Sequence, residues 1–292
     1  MLSKYYVFFK KCLILISAII LLIVRIDERD LPKPDGAEII GRQRYVLEDY
    51  YASNQGVTND GEYYYFSGTK SRGRADLGKA DMKTGEIFLI NTSPIPKEMA
   101  DLGCNHIGGL SYHDGIIYAA IEDGPDYLHP FIALYDAETL QYTGKCRELP
   151  QQLHTEGVPW CAVDEENNVL YTAEWSNSVV LNVFALDDLS LIGTIPLSEP
   201  IDRMQGGEMF DGRLYLSCDE ENDLKRIFSV DVRTGEVRVE FTRNIGKVFE
   251  AEGMTIYPDE NGQPVFCVLD RGERRKSVNL TKYRLDRQIS QE

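Results

Sequence analysis

Residues able to bind ligands or exchange protons recur at one place in this sequence, just before a glycine that opens an apolar stretch. These residues are Gln55, Glu156, Gln205 and Glu252, which precede Gly56, Gly157, Gly206 and Gly253. In a further stretch of the same kind, His106 stands two residues before Gly108. Carboxylates and amides hold cations or polar ligands, and an imidazole exchanges a proton near neutral pH. Brought together, such side chains would form a polar binding site or an acid–base site.

A second set of polar residues ends the apolar stretch that follows most of these openings. Glu174 belongs to this second set, and the Trp175 that follows it can stack on a sugar or a cation. The ligand-binding residues predicted from both sets are Gln55, His106, Glu156, Gln205, Glu252, Glu122, Glu174, Asp219, Asp270 and Trp175. The alternative is structural: the polar residues satisfy strand ends or face solvent, and Trp175 packs between repeats.

The chemistry of these groups favours a hard cation, because their ligand atoms are oxygens. Glu156, Glu252 and Asp219 are the predicted ligands if Ca²⁺ or another divalent cation binds. His106 and His154 are the candidate general bases. The sequence contains no nucleophile elbow and no zinc-protease, Walker or dinucleotide-binding motif, so nucleotide binding and nucleophilic catalysis are not indicated.

Between residues 54 and 286 the chain has a weak repeat of about fifty residues. The repeated elements must position these side chains. Each repeat has an apolar strand, a turn rich in Asp, Asn and Gly, and a second strand rich in β-branched and aromatic residues. In four repeats a third strand ends in an Asp-x-x-Thr or Asp-x-x-Ser turn, as at 81–85, before a fourth strand. Four antiparallel strands repeated radially are typical of a β-propeller blade.

Five such repeats predict an all-β, five-bladed β-propeller over residues 42–287, with a six-bladed ring as the alternative and 288–292 as a tail. The fifth repeat supplies three strands, and residues 42–51 are predicted to add the fourth, which removes free sheet edges. The first strand of a blade begins beside the end of the second because the two run antiparallel. Both polar sets are therefore expected at one mouth of the central channel.

The motifs that carry a family resemblance are HIGGLSYHDGIIYAAIEDG, LYDAETL, VDVRTGEV and AEGMTIYPDENG. Over residues 42–286 the chain resembles the β-propeller superfamily that contains YncE-like, SMP-30/gluconolactonase-like and quinoprotein-dehydrogenase-like sequences. The resemblance implies the propeller architecture. It does not assign an activity, because one fold carries many functions.

The N-terminal segment, residues 1–25, places Lys4, Lys10 and Lys11 before the apolar run 12–24. A basic segment followed by an apolar run is typical of an export signal, and no small-x-small cleavage site follows it. We predict an uncleaved, single-pass membrane helix with its N-terminus inside and the propeller outside the cytoplasm. If the signal is cleaved, the protein is secreted. Residues 26–41 are the predicted linker.

The overall composition is acidic: 31 Lys and Arg against 47 Asp and Glu give a net charge of −16 over 292 residues. This balance argues against a nucleic-acid partner, which needs a surplus of basic residues. The six cysteines form no C-x-x-C motif, which excludes zinc-ribbon and thioredoxin-like sites.

Four functions remain open from the sequence, the fourth being a quinone-dependent dehydrogenase. The leading one is a membrane-anchored, extracytoplasmic propeller that binds a small molecule, glycan or peptide, with an acidic mouth that attracts cations. The second is a divalent-metal-dependent hydrolase of the lactonase type. The third is a scaffold that binds an extracellular protein.

Overall fold

The structure, a computed structural model, describes residues 31–46, 54–70, 74–246, 249–272 and 277–286. Within these ranges, twenty β-strands form five four-stranded antiparallel sheets. The predicted all-β, five-bladed propeller is confirmed, and the six-bladed alternative is wrong. The predicted N-terminal helix lies outside the described residues. Among those that are described, no helix has the length and hydrophobicity needed to cross a bilayer.

The blades follow one another along the chain, and each begins with its innermost strand. Blade 1 contains β2 (Val57–Asn59), β3 (Tyr63–Lys70), β4 (Arg74–Asp81) and β5 (Ile87–Asn91). Blade 2 contains β6 (His106–His113), β7 (Ile116–Glu122), β8 (Phe131–Asp136) and β9 (Tyr142–Glu148). Blade 3 contains β10 (Ala162–Asp164), β11 (Val169–Thr172), β12 (Ser178–Ala185) and β13 (Leu191–Ile201).

The last two blades have the same order. Blade 4 contains β14 (Met204–Phe210), β15 (Arg213–Cys218), β16 (Lys225–Asp231) and β17 (Glu236–Arg243). Blade 5 contains β18 (Phe249–Pro258), β19 (Pro264–Gly272), β20 (Ser277–Leu285) and the N-terminal strand β1 (Ala37–Val46). A short helix, α1 (Lys97–Ala100), and a 3₁₀ turn, Gln151–Leu153, lie between strands.

The ring closes because β1 pairs antiparallel with β20, with Ala37 opposite Leu285 and Tyr45 opposite Val278. This strand was expected at residues 42–51 and instead begins at Ala37, inside the predicted linker; residues 47–53 lie outside the described ranges. The outermost strand of a blade is partly open to solvent, so its polar residues do not separate it from a linker in the sequence. Closure leaves no free sheet edge at the join.

Five buried apolar clusters hold the ring together, and each one joins two neighbouring blades. Tyr65 and Ile121 belong to the cluster between blades 1 and 2. Trp160 and Leu216 belong to the cluster between blades 3 and 4. The remaining three clusters join blades 2 and 3, 4 and 5, and 5 and 1. Burial of apolar area between blades is therefore the main stabilising term around the ring.

At the axis, the innermost strands contact one another through glycine. A Cβ atom on Gly56 would lie 2.5 Å from the Gly108 carbonyl oxygen, and one on Gly108 would lie 2.4 Å from the Pro159 carbonyl oxygen. Similarly, a Cβ on Gly206 would lie 2.7 Å from Gly253 Cα. Only a residue without a side chain allows this approach.

The contacts continue around the whole axis. The Gly253 N–H donates to the Gln55 carbonyl oxygen at 2.7 Å, which joins blades 5 and 1. The Trp160 ring packs against Gly207, which joins blades 3 and 4. We call the contacts of residues 56, 108, 159–160, 206–207 and 253 the axial ring. It closes the channel directly below the residues that precede the glycines.

The third blade departs from the repeat predicted from the sequence. Glu156-Gly157 was expected to open its inner strand, but Pro159 and Trp160 occupy the axial position. Gly157 instead lies in a turn with φ +86°, where a Cβ would collide with the Glu122 carboxylate. The reason is that this inner strand, β10, begins only at Ala162. The Glu156-Gly157 pair therefore matches the other openings in sequence but does not lie at the axis.

The axial ring predicts a specific sensitivity to added methyl groups. We expect Gly108→Ala to lower the free energy of unfolding by about 1–3 kcal/mol, because the new methyl group overlaps the Pro159 carbonyl oxygen. Gly193→Ala is the matched control: a Cβ there meets nothing within 4 Å. Its effect should stay within about 0.5 kcal/mol. Urea unfolding measures the free energy of unfolding of both variants. Equal losses would contradict the close backbone contact at Gly108.

Candidate functional site

One mouth of the channel holds a cavity of about 410 Å³, which we call the mouth cavity. Its lining residues are Gln55, Asn105, His106, Glu122, Gly124, Tyr127, Glu156, Pro159, Trp175, Gln205, Glu250 and Glu252. Seven of the ten predicted ligand-binding residues are among them: Gln55, His106, Glu122, Glu156, Trp175, Gln205 and Glu252. The other three, Glu174, Asp219 and Asp270, do not line the cavity.

The strand pairing explains why residues distant in sequence meet here. His106 begins β6 and lies opposite Glu122, the last residue of β7. In blade 5, Glu250 lies opposite Arg271 near the corresponding ends of β18 and β19. The start of each inner strand therefore shares a face with the end of the second strand. The axial ring forms the floor below them.

The Glu122 carboxyl group is buried at the wall of the mouth cavity. Its Oε2 accepts a hydrogen bond from the Val158 N–H at 2.8 Å, and its Oε1 lies 3.9 Å from His106 Nε2. Burial raises the pKa of Glu122 to about 7, although the Val158 N–H opposes the shift. Burial, together with the charge of Arg271, lowers the pKa of His106 to about 4. His106 is therefore neutral at pH 7.

Glu156 is held by a loop that follows β11. Its Oε2 accepts hydrogen bonds from both the N–H and the hydroxyl of Ser176. The neighbouring Glu174 accepts the N–H groups of Thr155 and Glu156, each at 3.1 Å. Glu174 thus fixes the backbone that carries Glu156, and this role explains why it lies outside the cavity.

The carboxylates of blade 5 are paired with arginine. Arg271 forms ion pairs with Glu250 and with Glu252, the latter at 3.4 Å between Nε and Oε1. The Gln55 amide donates to the same Glu252 oxygen at 3.3 Å. Glu252 is almost fully buried, at 2% exposure. Its carboxylate would be unfavourable there without Arg271 and Gln55 as partners.

Two aromatic side chains line the mouth cavity. The Arg203 guanidinium lies 5.3 Å from the centroid of the Trp175 ring. Tyr127 lies beside the acidic wall: burial raises its pKa, and the charges of Glu122 and Glu156 raise it further. Trp160, in contrast, is fully buried between blades 3 and 4 and is not among the residues that line the mouth cavity.

His154 is not positioned as a general base, contrary to the expectation from its place before Glu156. It is fully buried, its Nδ1 lies 3.0 Å from the Pro150 carbonyl oxygen, and its Nε2 lies 2.8 Å from the Thr172 hydroxyl. Burial lowers its pKa, which favours the neutral ring. Both ring nitrogens are therefore engaged in fixing the 3₁₀ turn against blade 3.

Asp219 and Asp270 form buried ion pairs rather than a second ring of ligands. Asp219 pairs with Lys225 within blade 4. Asp270 pairs with Arg243 across blades 4 and 5 at 2.6 Å, and it also accepts the Thr281 hydroxyl at 3.0 Å. In the sequence these acids look like exposed strand ends, because their basic partners lie on later strands or in the neighbouring blade.

The predicted metal ligands do not assemble. Glu156 is bonded to Ser176, Glu252 to Gln55 and Arg271, and Asp219 to Lys225. Across the described part of the chain, no group of three or more His, Cys, Asp or Glu side chains is placed to hold a metal ion. Carboxylates that follow a common sequence pattern are thus engaged by different local partners.

Sequence reasoning missed three residues at the site: Asn105, Tyr127 and Arg271. Arg271 could have been found, since it follows Asp270 at the end of β19 and the strand register places it opposite Glu250. Asn105 donates to the Gly124 carbonyl oxygen at 2.9 Å and so fixes the loop that carries Tyr127. That loop follows no repeat, and the sequence held no signal for it.

A second cavity, of about 470 Å³, lies beyond the axial ring along the inner strands. Glu208 lines it, two residues after Gly206, and accepts hydrogen bonds from the hydroxyls of Thr58 and Thr255. Burial raises the pKa of Glu208 to about 8. Its hydroxyl partners connect blades 1, 4 and 5 and give this carboxyl group a structural role.

Comparison with known proteins identifies the architecture alone. No protein-family model matches the chain, and no curated protein matches it. The solved structure of RS223 β-xylosidase is similar at a TM-score of 0.58 and 12% identity, over 83% of this chain and 94% of the xylosidase. A bifunctional GH43-CE protein from Bacteroides eggerthii is similar at a TM-score of 0.55 and 13% identity, over 82% of this chain.

The chain spans only 34% of that bifunctional protein. It also spans 59% of Kuenenia stuttgartiensis hydrazine synthase, with a TM-score of 0.44 and 12% identity. At these identities the likeness establishes the fold and nothing further. The propeller implied by the sequence resemblance is confirmed, whereas membership of the YncE-like or gluconolactonase-like families is not shown.

The buried ion pair behind the mouth cavity yields a stability prediction. We expect Asp270→Asn to lower the free energy of unfolding by about 3–5 kcal/mol, because it leaves the fully buried Arg243 without its counter-charge. Glu236→Gln is the control, since Glu236 pairs with Arg238 at the surface, where solvent screens the charges, and should change stability far less. Chemical denaturation measures both, and similar effects for the two variants would contradict the assigned role.

Proposed function

We propose that the mouth cavity binds a neutral, polyhydroxylated ligand of the carbohydrate type. The observation that carries this proposal is that Glu156, Glu250, Glu252 and Glu122 each have a partner within the protein. Arg271 compensates the charges of Glu250 and Glu252, and burial favours the neutral form of Glu122, before any ligand arrives. A cationic ligand would have to displace those partners, whereas a neutral ligand would not.

The charge balance differs from the acidic, cation-attracting mouth expected from sequence. Arg271 neutralises much of the charge of Glu250 and Glu252. Glu122 is substantially protonated near pH 7, because burial raises its pKa to about 7. Glu156 is held by the N–H and the hydroxyl of Ser176, which carry no charge. A neutral ligand meets this surface without a large electrostatic penalty.

The shape and chemistry of the lining support a sugar. Ligand sites combine apolar or aromatic surface with a few convergent polar groups. Trp175 and Tyr127 provide flat apolar faces, while Gln55, Asn105 and Gln205 provide amides that both donate and accept hydrogen bonds. A sugar ring presents an apolar face and hydroxyl groups in the same manner. The similar xylosidase has the same architecture, but the proposal rests on the cavity and not on that likeness.

Of the other functions considered, the metal-dependent lactonase has no ligand cluster among the described residues to support it. The interaction scaffold makes no use of the mouth cavity, and no described contact favours it. We also propose that residues 1–25 anchor the protein to a membrane, on the strength of their lysines and apolar run. Extraction of the full chain with alkaline carbonate tests this: release into the soluble fraction would contradict it.

Trp175 provides a direct test of ligand binding. The chain has two tryptophans, of which Trp175 lines the mouth cavity and Trp160 does not, so a fluorescence change on titration is assigned to Trp175. We expect xylobiose or another disaccharide of a pentose and hexose panel to change this fluorescence. Trp175→Ala should weaken binding by about tenfold, measured calorimetrically, because the stacking face is lost.

Two controls sharpen this test. Trp175→Phe keeps an aromatic face and should retain most of the affinity, and Phe88→Ala removes an exposed aromatic residue that does not line the cavity. Unchanged affinity in Trp175→Ala would contradict the proposal.

The ion pairs of the mouth cavity predict how ligand binding depends on salt. Binding of a neutral sugar should vary little between low and high NaCl concentration, because salt screens only interactions between charges. A protonated amino sugar, used for comparison, should bind no more tightly than its neutral counterpart. A strong preference for the amino sugar that disappears in high salt would show that the mouth cavity recognises cations instead.

A further inference from the structure

We propose that the mouth cavity hydrolyses glycosidic bonds, with Glu122 as the proton donor and Glu156 as the base that activates water. This activity deepens the proposed function and depends on it, because a sugar must first occupy the cavity. Hydrolysis of a glycosidic bond requires one carboxyl group that holds a proton and a second that accepts one.

The environment of Glu122 suits a donor. The Val158 N–H occupies Oε2, so the proton of the acid form is carried by Oε1, the oxygen nearer His106. Among the described residues, the one recorded ion-pair partner of Glu122 is His106, which is neutral at pH 7. Burial favours the protonated carboxyl group over the carboxylate.

The turn at Gly157 contributes to this environment. Its backbone is in contact with the Glu122 carboxyl group so closely that a Cβ would lie 2.1 Å from Oε2. Gly157 also has φ +86°, a conformation that favours glycine. The turn therefore covers one side of Glu122 with backbone and reduces its contact with water.

Glu156 meets the requirements of the base. Two donors from Ser176 converge on its Oε2, which fixes the carboxylate and leaves Oε1 as the oxygen that can accept a proton. It directly precedes the glycine that contacts Glu122, and both carboxyl groups line the same cavity. Tyr127 is close enough to both that their charges raise its pKa.

The reaction balances with water as the only co-reactant. Glu122 transfers its proton to the glycosidic oxygen while the bond from that oxygen to the anomeric carbon breaks. A water oxygen bonds to the anomeric carbon as Glu156 removes one of its protons. The products are two hydroxyl compounds, Glu122 is left ionised and Glu156 protonated, and proton exchange with solvent restores both.

The residues of the lining favour this bond over an ester or a lactone. Among the described residues that line the mouth cavity, none is Ser, Thr, Cys or Lys, so no nucleophile of those types is present to attack a carbonyl. A glycosidic bond needs no such attack. Proton donation and proton removal by two carboxyl groups are sufficient.

The test uses the full chain and nitrophenyl α- and β-glycosides of xylose, arabinose, glucose and galactose. We expect at least one to be hydrolysed, and kcat to fall as the pH rises above about 7, because Glu122 then loses its proton. Glu122→Gln should lower kcat by about 100-fold or more. The same variant should retain most of its rate on the dinitrophenyl glycoside, whose leaving group needs no proton.

Glu156→Ala should lose activity on both leaving groups, and added azide should restore turnover by replacing the water. Glu260→Gln, in an exposed turn, is the control and should leave kcat unchanged. Equal losses of Glu122→Gln on both substrates would overturn the role of Glu122. Sugar binding without hydrolysis would overturn the catalytic proposal and leave the binding function standing. Absence of sugar binding would overturn both.

Discussion

The close contact of the inner strands at the axis, through glycine in four blades and through Pro159 and Trp160 in the third, is the constraint on which the rest of this structure depends. Because Gly56, Gly108, Gly206 and Gly253 carry no side chain, the strands approach until their backbones touch. These contacts lie next to the residues that line the mouth cavity. Gln55, Gln205 and Glu252, which directly precede three of these glycines, line the mouth cavity. A functional site and a packing requirement thus share the same short motif.

The mouth cavity is built from acids, yet its electrostatics are governed by their partners. Arg271 serves two glutamates, Ser176 holds a third, and burial shifts the proton equilibrium of Glu122. Behind the cavity, Asp270 and Arg243 form a buried pair between blades 4 and 5. Removing charges from water is unfavourable unless each is matched. The matching leaves a polar surface of low net charge, which suits a neutral ligand better than a cation.

The repeat pattern predicted the fold and most of the cavity because both follow from local rules. Turn residues and strand periodicity define the blades, and antiparallel pairing places His106 beside Glu122 without further information. The pattern failed where a residue's partner lies elsewhere in the chain. Asp219 and Asp270 were expected to bind ligand, but Lys225 and Arg243 engage them. The third blade failed differently, since Glu156-Gly157 matches the motif while Pro159 and Trp160 take the axial position. Short motifs specify conformation, and only the assembled neighbours specify protonation and pairing.

A crystal structure of the full chain soaked with xylobiose, or with whichever disaccharide binds most tightly, tests the central claim most directly. We expect a sugar ring in the mouth cavity, stacked on Trp175, with its glycosidic oxygen within hydrogen-bond distance of Glu122. Arg271 should keep its ion pairs with Glu250 and Glu252 when the sugar is bound. A sugar bound at the second cavity beside Glu208, or on the outer strands, with the mouth cavity holding only water, would contradict the account.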